Sequence, residues 1–106
     1  MNVRDADAAG APAGAGRSRV RRRAVVTGIV QGVGFRYSAQ HVAESHGVDG
    51  WVTNRGDGAV EAVLEGSPDA VEAVLAWLRE GPPGAWVRDV VVTSEPPAGE
   101  RGFEIR

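Results

Sequence analysis

Trp51-Val52-Thr53-Asn54-Arg55-Gly56-Asp57-Gly58-Ala59-Val60-Glu61-Ala62-Val63-Leu64-Glu65 is the stretch on which the fold turns. Trp51-Val52-Thr53 is a short β-prone run, Asn54 to Gly58 contains the Asp-Gly pair that favours a tight hairpin, and Ala59 to Glu65 is a second strand closed by Gly66. Outward from this hairpin the same two element types appear on each side. Upstream, Phe35, Ala39, Val42, Ala43 and His46 fall at helical spacing before Gly47, and Ala24 to Val30 is a strand ahead of them. Downstream, Ser67-Pro68-Asp69 supplies an N-cap, a proline at the first helical position and an early acid. Val71, Val74, Leu75 and Leu78 continue that helix to Gly81-Pro82-Pro83, and Trp86 to Thr93 is a further strand. Phe103-Glu104-Ile105 closes the series after the Glu95-Pro96-Pro97-Ala98-Gly99 loop. A hairpin between two helices, each flanked by a strand, is the β-α-β-β-α-β order of an α+β ferredoxin-like sandwich, with an antiparallel sheet and both helices on one face.

The chain has 106 residues, enough for one domain, with a net charge of −2 and no cysteine. Absent cysteine removes disulfides, thiolate nucleophiles and thiolate metal sites. With His41 and His46 as the only histidines, neither a metal nor a cofactor is expected. No apolar run approaches the ~20 residues that span a bilayer, and no secretory h-region is present, so a cytoplasmic protein with no membrane partner is expected. All twelve basic residues are arginine. Residues 1–23 carry six of them against two acids, a net +4, whereas 24–106 carry six against twelve, a net −6. Residues 1–19 read as a disordered tail rich in Ala, Gly and Arg, and 20–106 as the folded domain. The cluster Arg17, Arg19, Arg21, Arg22 and Arg23 reads as a solvated lead-in to the first strand, with an acidic or nucleic-acid partner as the alternative. The acidic body opposes broad phosphate-backbone binding, and strands one and three lack the aromatics of an RNA-reading sheet, so no nucleic-acid partner is expected. Trp51, Trp77 and Trp86 read as packing for the core and its edge.

The chemistry concentrates in Gly28-Ile29-Val30-Gln31-Gly32-Val33-Gly34-Phe35-Arg36, where a strand runs through a glycine turn directly into a helix. Such a turn points several N–H groups into one concavity, and the unpaired amides of the first helical turn point the same way. The helix dipole adds positive character, making an anion cradle. The spacing matches neither a Walker motif nor a dinucleotide fingerprint. Arg36 sits at the end of the dipole that favours acids, a position that an anion between it and the amides makes favourable. Its planar fork matches two phosphate oxygens. Asn54 ends strand two, which in this topology is expected beside strand one, with its tip facing the glycine turn. Its amide offers a donor and an acceptor that can hold a water in line with phosphorus. Ser38, His41 and Ser45 share a helix, but no acid is placed to orient the histidine.

These residues resemble the acylphosphatase family. The likeness rests on Gly28-x-Val30-Gln31-Gly32-Val33-Gly34-Phe35-Arg36 and on Gly47-x-x-Gly50-Trp51-Val52-x-Asn54-x-x-Asp57-Gly58-x-Val60-Glu61. It continues through Gly66, Gly81-Pro82-Pro83, Val87, Val90 and Phe103-x-Ile105. It implies metal-independent hydrolysis of the carboxyl–phosphate bond of a small acyl phosphate, and a domain with no evident need of a partner is expected to act as a monomer. Carried over by position, Gln31, Gly32, Val33, Gly34, Phe35 and Arg36 bind the phosphate, and Asn54 positions the attacking water. Thr53 stands where the family often has a basic residue, and His46 where it usually has an apolar one. Two other readings share the sequence: a module that holds an anion without turning it over, and a partner-binding protein acting through the arginine cluster. A water-holding Asn54 beside Arg36 favours the enzyme over the plain anion binder.

Overall fold

The computed structural model describes residues 19–106. The expected tail therefore lies outside the described residues, apart from Arg19. In chain order the elements are β1 (Val20–Ile29), α1 (Phe35–Ser45), β2 (Asp49–Asn54), β3 (Val60–Gly66), α2 (Pro68–Glu80), β4 (Trp86–Glu95) and β5 (Phe103–Ile105). The strands form one sheet in the order β4-β1-β3-β2-β5. The first four pair antiparallel, while β5 adds parallel to β2, so the expected antiparallel sheet is mixed at this edge. The order also corrects the placement of strand two. In a split βαβ unit the crossover leaves room for a strand between its two ends, and β3 fills it, so β2 neighbours β3 and not β1.

Alternation along the strands sends Ala24 and Val26 of β1, Val52 of β2, and Val60, Ala62 and Leu64 of β3 toward the helices. There they meet Phe35, Ala39 and Ala43 of α1 and Val71, Val74, Leu75 and Leu78 of α2. Every one of these is almost completely buried. The second helix starts where local chemistry directs. The Ser67 hydroxyl accepts from the Ala70 amide at 3.3 Å, with Pro68 and Asp69 behind it. The α1 helix has no side-chain cap and no acid in its first turn.

The other face of the sheet carries charge. β1 begins at Val20, so Arg21 and Arg23, expected in a solvated lead-in, are strand residues pointing to this face. Opposite them stand Glu61 and Glu65 of β3 and Glu95 of β4. Arg21 donates to Glu65 at 2.7 Å, Glu95 at 2.8 Å and Glu100 at 3.0 Å, and Arg23 pairs with Glu95 and Glu61. Those partners lie tens of residues away, which is why a run of arginines looks free in the sequence. Trp77 packs against Phe35 in the core at 5.4 Å between centroids. Trp51 instead lies on the charged face beneath the guanidinium groups of Arg106 and Arg23, at 4.8 and 5.6 Å, and Trp86 is exposed on edge strand β4.

Glu65 is wholly buried and organises the crossing from β4 to β5. The two strands occupy opposite edges, so the loop 96–102 must traverse the charged face. Glu65 accepts the amides of Ala98, Gly99 and Glu100 at 2.6, 3.1 and 3.0 Å. Burial pushes its pKa upward, but the Ala98 amide, Arg21, the Glu100 amide and Arg19 outweigh that and hold it at about 2. Asp49 takes the Gly102 amide at 3.0 Å, and the loop delivers β5 alongside β2.

Candidate active site

Between β1 and α1 the chain turns through Gly32 and Gly34, with φ of 78° and 76°. Both lie in the left-handed region that glycine enters at no steric cost. No neighbouring atom crowds either position, so backbone conformation, and not space, sets the residue type there. Gly34 is also the N-cap of α1, and the first intrahelical bond runs from the Ser38 amide to Gly34 O at 3.0 Å. The amides of Phe35, Arg36 and Tyr37 thus precede the helical ladder, at the positive end of the dipole. Phe35 anchors this turn. Its ring is buried against Trp77, which fixes the angle at which the helix leaves the turn.

Val30, Gly32, Gly34, Phe35, Arg36, Tyr37, Asn54 and Ile105 line one open concavity of about 180 Å³ at this helix end. Arg36 and Asn54, drawn from different elements, therefore meet at a single site. Although β3 separates β2 from β1, Asn54 reaches the turn because it lies at the end of β2 on the helix-facing side, in register with Val60. Arg36 is the only charged side chain in the lining. Its Nη1 donates to the main-chain oxygen of Arg106 at 3.3 Å, and the Thr53 hydroxyl donates to the same oxygen at 3.1 Å. The Arg106 amide in turn donates to Val52 O at 2.8 Å. The end of β5 is thereby tied both to β2 and to the guanidinium.

Of the residues expected in the binding loop, Gly32, Gly34, Phe35 and Arg36 line the concavity, while Gln31 and Val33 do not. The Gln31 side-chain amide donates to Arg55 O at 2.8 Å and Ala59 O at 2.9 Å, the two ends of the β2–β3 turn. It joins the glycine turn to the hairpin that carries Asn54. Val33 packs against the core. Asp57 completes the hairpin by accepting the Ala59 amide at 3.0 Å and pairing with Arg55 at 2.9 Å. The Ala59 bond and, behind it, Arg55 lower its pKa despite some desolvation. Val30, Tyr37 and Ile105 belong to the lining and were not foreseen. Ile105 had no local signal, since its place beside Asn54 depends on the parallel pairing of β5 with β2.

Two histidines stay apart from this chemistry. The His46 Nδ1 lies 3.0 Å from Val42 O at the end of α1, and His41 is exposed on the same helix. Among the described residues, no three His, Cys, Asp or Glu side chains gather to hold a metal ion, and no helix is long and apolar enough to cross a membrane.

A family model described as Acylphosphatase matches residues 22–105. An acylphosphatase of Trichormus variabilis is 53% identical over 87 residues, covering 82% of this chain and 86% of the relative. The solved acylphosphatase of Coxiella burnetii superimposes with a TM-score of 0.84 at 35% identity, covering 87% of this chain and 97% of its own. That of Bacillus subtilis gives 0.80 at 39%, covering 82% and 98%.

Proposed function

The chain belongs to the acylphosphatase family and is a hydrolase of acyl phosphates, and we propose that within this activity Arg36 and the turn amides bind the phosphate while Asn54 holds the attacking water. One observation carries the assignment: a fork cation and a side-chain amide from separate elements line the same concavity, at the amide-rich start of a helix. An acyl phosphate brings a tetrahedral dianion to that place. The amides of Phe35, Arg36 and Tyr37, together with the Arg36 fork, supply donors to its three peripheral oxygens. Phosphoryl transfer asks mainly for positioning and charge stabilisation, and this set supplies both.

Asn54 is neither base nor nucleophile. Its carbonyl accepts one hydrogen bond from water, which leaves an oxygen lone pair aimed at phosphorus. As the water oxygen bonds to phosphorus, the bond from phosphorus to the carboxyl oxygen breaks. The carboxylate departs with the electron pair, and the water proton passes to a phosphate oxygen of the substrate. A carboxylate is a weakly basic leaving group, so the step requires no general acid. This fits a lining whose only ionisable side chains are Arg36 and Tyr37. In this reading the enzyme acts as a cytoplasmic monomer on a small acyl phosphate, without a metal.

The test is hydrolysis of benzoyl phosphate with a chelator present, by wild type, Arg36→Ala and Asn54→Ala. Each variant is expected to lose about 10²–10³ in kcat/KM, the usual consequence of removing one preorganised transition-state contact. Arg36→Ala also loses competitive inhibition by inorganic phosphate, whereas Asn54→Ala keeps it and loses turnover alone. Chelator-sensitive turnover, or an Asn54→Ala enzyme with wild-type kcat, would overturn the assignment.

A further inference from the structure

The glycine turn is mounted through alternate residues. Gly32, Gly34 and Arg36 line the concavity, and nothing lies within 4 Å of where a Cβ would stand on either glycine. Gln31, Val33 and Phe35 instead fasten the turn to three other parts of the fold. Gln31 reaches the β2–β3 hairpin. Val33 lies beside the segment 81–85 that follows α2, where a Cβ on Gly84 would stand 3.9 Å from Val33 Cγ1. Phe35, which also floors the concavity, is held by Trp77 and Gly81 at the end of α2.

This seat is stiff. A Cβ on Gly81 would come 3.0 Å from Phe35 Cε2, 3.1 Å from Ala85 Cβ and 3.3 Å from Val87 Cγ2, closer than side chains ordinarily approach, so the ring rests on bare backbone there. The Gly81 amide donates to Trp77 O at 2.8 Å as the chain leaves α2, and the Ala85 amide donates to Pro82 O at 3.1 Å. Between these bonds Pro82 is buried and Pro83 follows it. Their rings fix φ at both positions. A proline pair closed by hydrogen bonds at each end has few conformations open to it, so whatever packs on it inherits its position.

Resting on the reading that the turn amides hold the phosphate, we propose that Val33 and Gly81 are positioning residues for the reaction: through them the segment 81–85 sets the depth of the turn, so that its amides converge on one point before the substrate arrives. Neither residue lines the concavity, and both act through the turn. Donors held in advance stabilise charge without reorganising, and they must stand within about 0.5 Å of the productive geometry. Without the Val33 branches, a turn with glycine on both sides of that position has only Gln31 and Phe35 to fix it.

The experiment measures kcat and KM for benzoyl phosphate, the Ki of inorganic phosphate and stability in urea, for wild type, Val33→Ala, Val33→Ile, Gly81→Ala and Val92→Ala. Val92 is a partly buried valine of β4 on the same core, paired with Ala24 well before the turn, so its truncation reports plain loss of packing. Displacing a substrate-holding group by about 1 Å costs roughly 10²-fold, and a relaxed turn moves by less. Val33→Ala and Gly81→Ala are therefore expected to raise KM and the phosphate Ki together by about fivefold, with kcat within about threefold of wild type. Val33→Ile restores the contact and Val92→Ala never touches it, so both are expected to keep Ki within about twofold, although Val92→Ala loses stability as Val33→Ala does. Val33 is half-buried in the turn, so its variants remain informative even where Gly81→Ala strains the end of α2. A folded Val33→Ala enzyme with Ki within about twofold of wild type, or a Val92→Ala enzyme with the same rise, would overturn the positioning role. An Arg36→Ala enzyme with an unchanged phosphate Ki would instead overturn the phosphate assignment beneath it.

Discussion

Glu65→Gln replaces the wholly buried carboxylate that pins the β4–β5 crossing by an amide of nearly the same volume. Two carboxylate oxygens now accept from Arg19, Arg21 and three consecutive loop amides. Glutamine keeps one acceptor oxygen and points N–H bonds at the remaining donors, while Arg21, only 9% exposed, loses a charged partner. Breaking a buried ion pair from one side costs about 3–5 kcal/mol. Linkage gives a second route to the magnitude. The Glu65 pKa falls from 4.5 to about 2 on folding, which corresponds to roughly 3 kcal/mol. Because the folded-state value is the lower one, this stabilisation is complete above the unfolded pKa and disappears as pH falls toward about 2. Urea unfolding followed by tryptophan fluorescence should show the variant about 3 kcal/mol less stable than wild type at neutral pH. The gap should narrow steadily between about pH 4.5 and pH 2. A neutral-pH difference below about 1 kcal/mol, or a difference that does not narrow in acid, would mean that the Glu65 charge does not hold this crossing. Typical domains have only about 5–15 kcal/mol in total. A loss of this size should also free β5, which carries Ile105 and the Arg106 oxygen, so activity should fail on warming before the core unfolds.

Gln31→Leu removes both bonds between the glycine turn and the hairpin, and kcat should fall about tenfold as Asn54 loses its alignment. Urea titration should find a stability loss of only about 1–2 kcal/mol for the same change, and an unaltered kcat would count against the proposed linkage. Thr53→Val deletes one of the two donors to the Arg106 oxygen. The Ki of inorganic phosphate should rise about twofold to fivefold, with recovery in Thr53→Ser, as measured by competitive inhibition. Arg36→Lys should be nearly as poor as Arg36→Ala in kcat/KM, because a point charge does not replace a fork. Activity within about tenfold of wild type would contradict two-point binding of phosphate.

The parts of this molecule that were legible in the sequence are those coded over a few residues. Ser67-Pro68-Asp69 announces α2 because a cap, a preset φ and an early acid act within one turn. The Asp57-Gly58 pair announces the hairpin, and the Asp57 carboxylate does close it by accepting the Ala59 amide. Gly32, Gly34 and Arg36 announce a left-handed glycine turn that opens into a helix, the geometry on which the proposed anion cradle rests. What was hidden depends on distant pairings. Arg21 and Arg23 read as solvated charge until β3 and β4 bring Glu61, Glu65 and Glu95 across from them. The Gln31 side chain reads as part of the binding loop, yet its two acceptors are carbonyls more than twenty residues onward. Ile105 enters the site only through the parallel addition of β5 to β2, and no feature of Phe103-Glu104-Ile105 declares that edge. Local chemistry thus pointed to the concavity and to the two side chains proposed to act in it, whereas its walls and supports come from sheet order.

In the proposed mechanism the water held by Asn54 is aligned on phosphorus and not on the acyl carbon. Hydrolysis of benzoyl phosphate by the wild-type enzyme in water enriched in the heavy oxygen isotope, with both products read by mass spectrometry, tests it most directly. Heavy oxygen in the inorganic phosphate, with none in the benzoate, is the predicted result. Heavy oxygen in the benzoate would mean attack at the carbonyl and would contradict the roles assigned to Arg36 and Asn54.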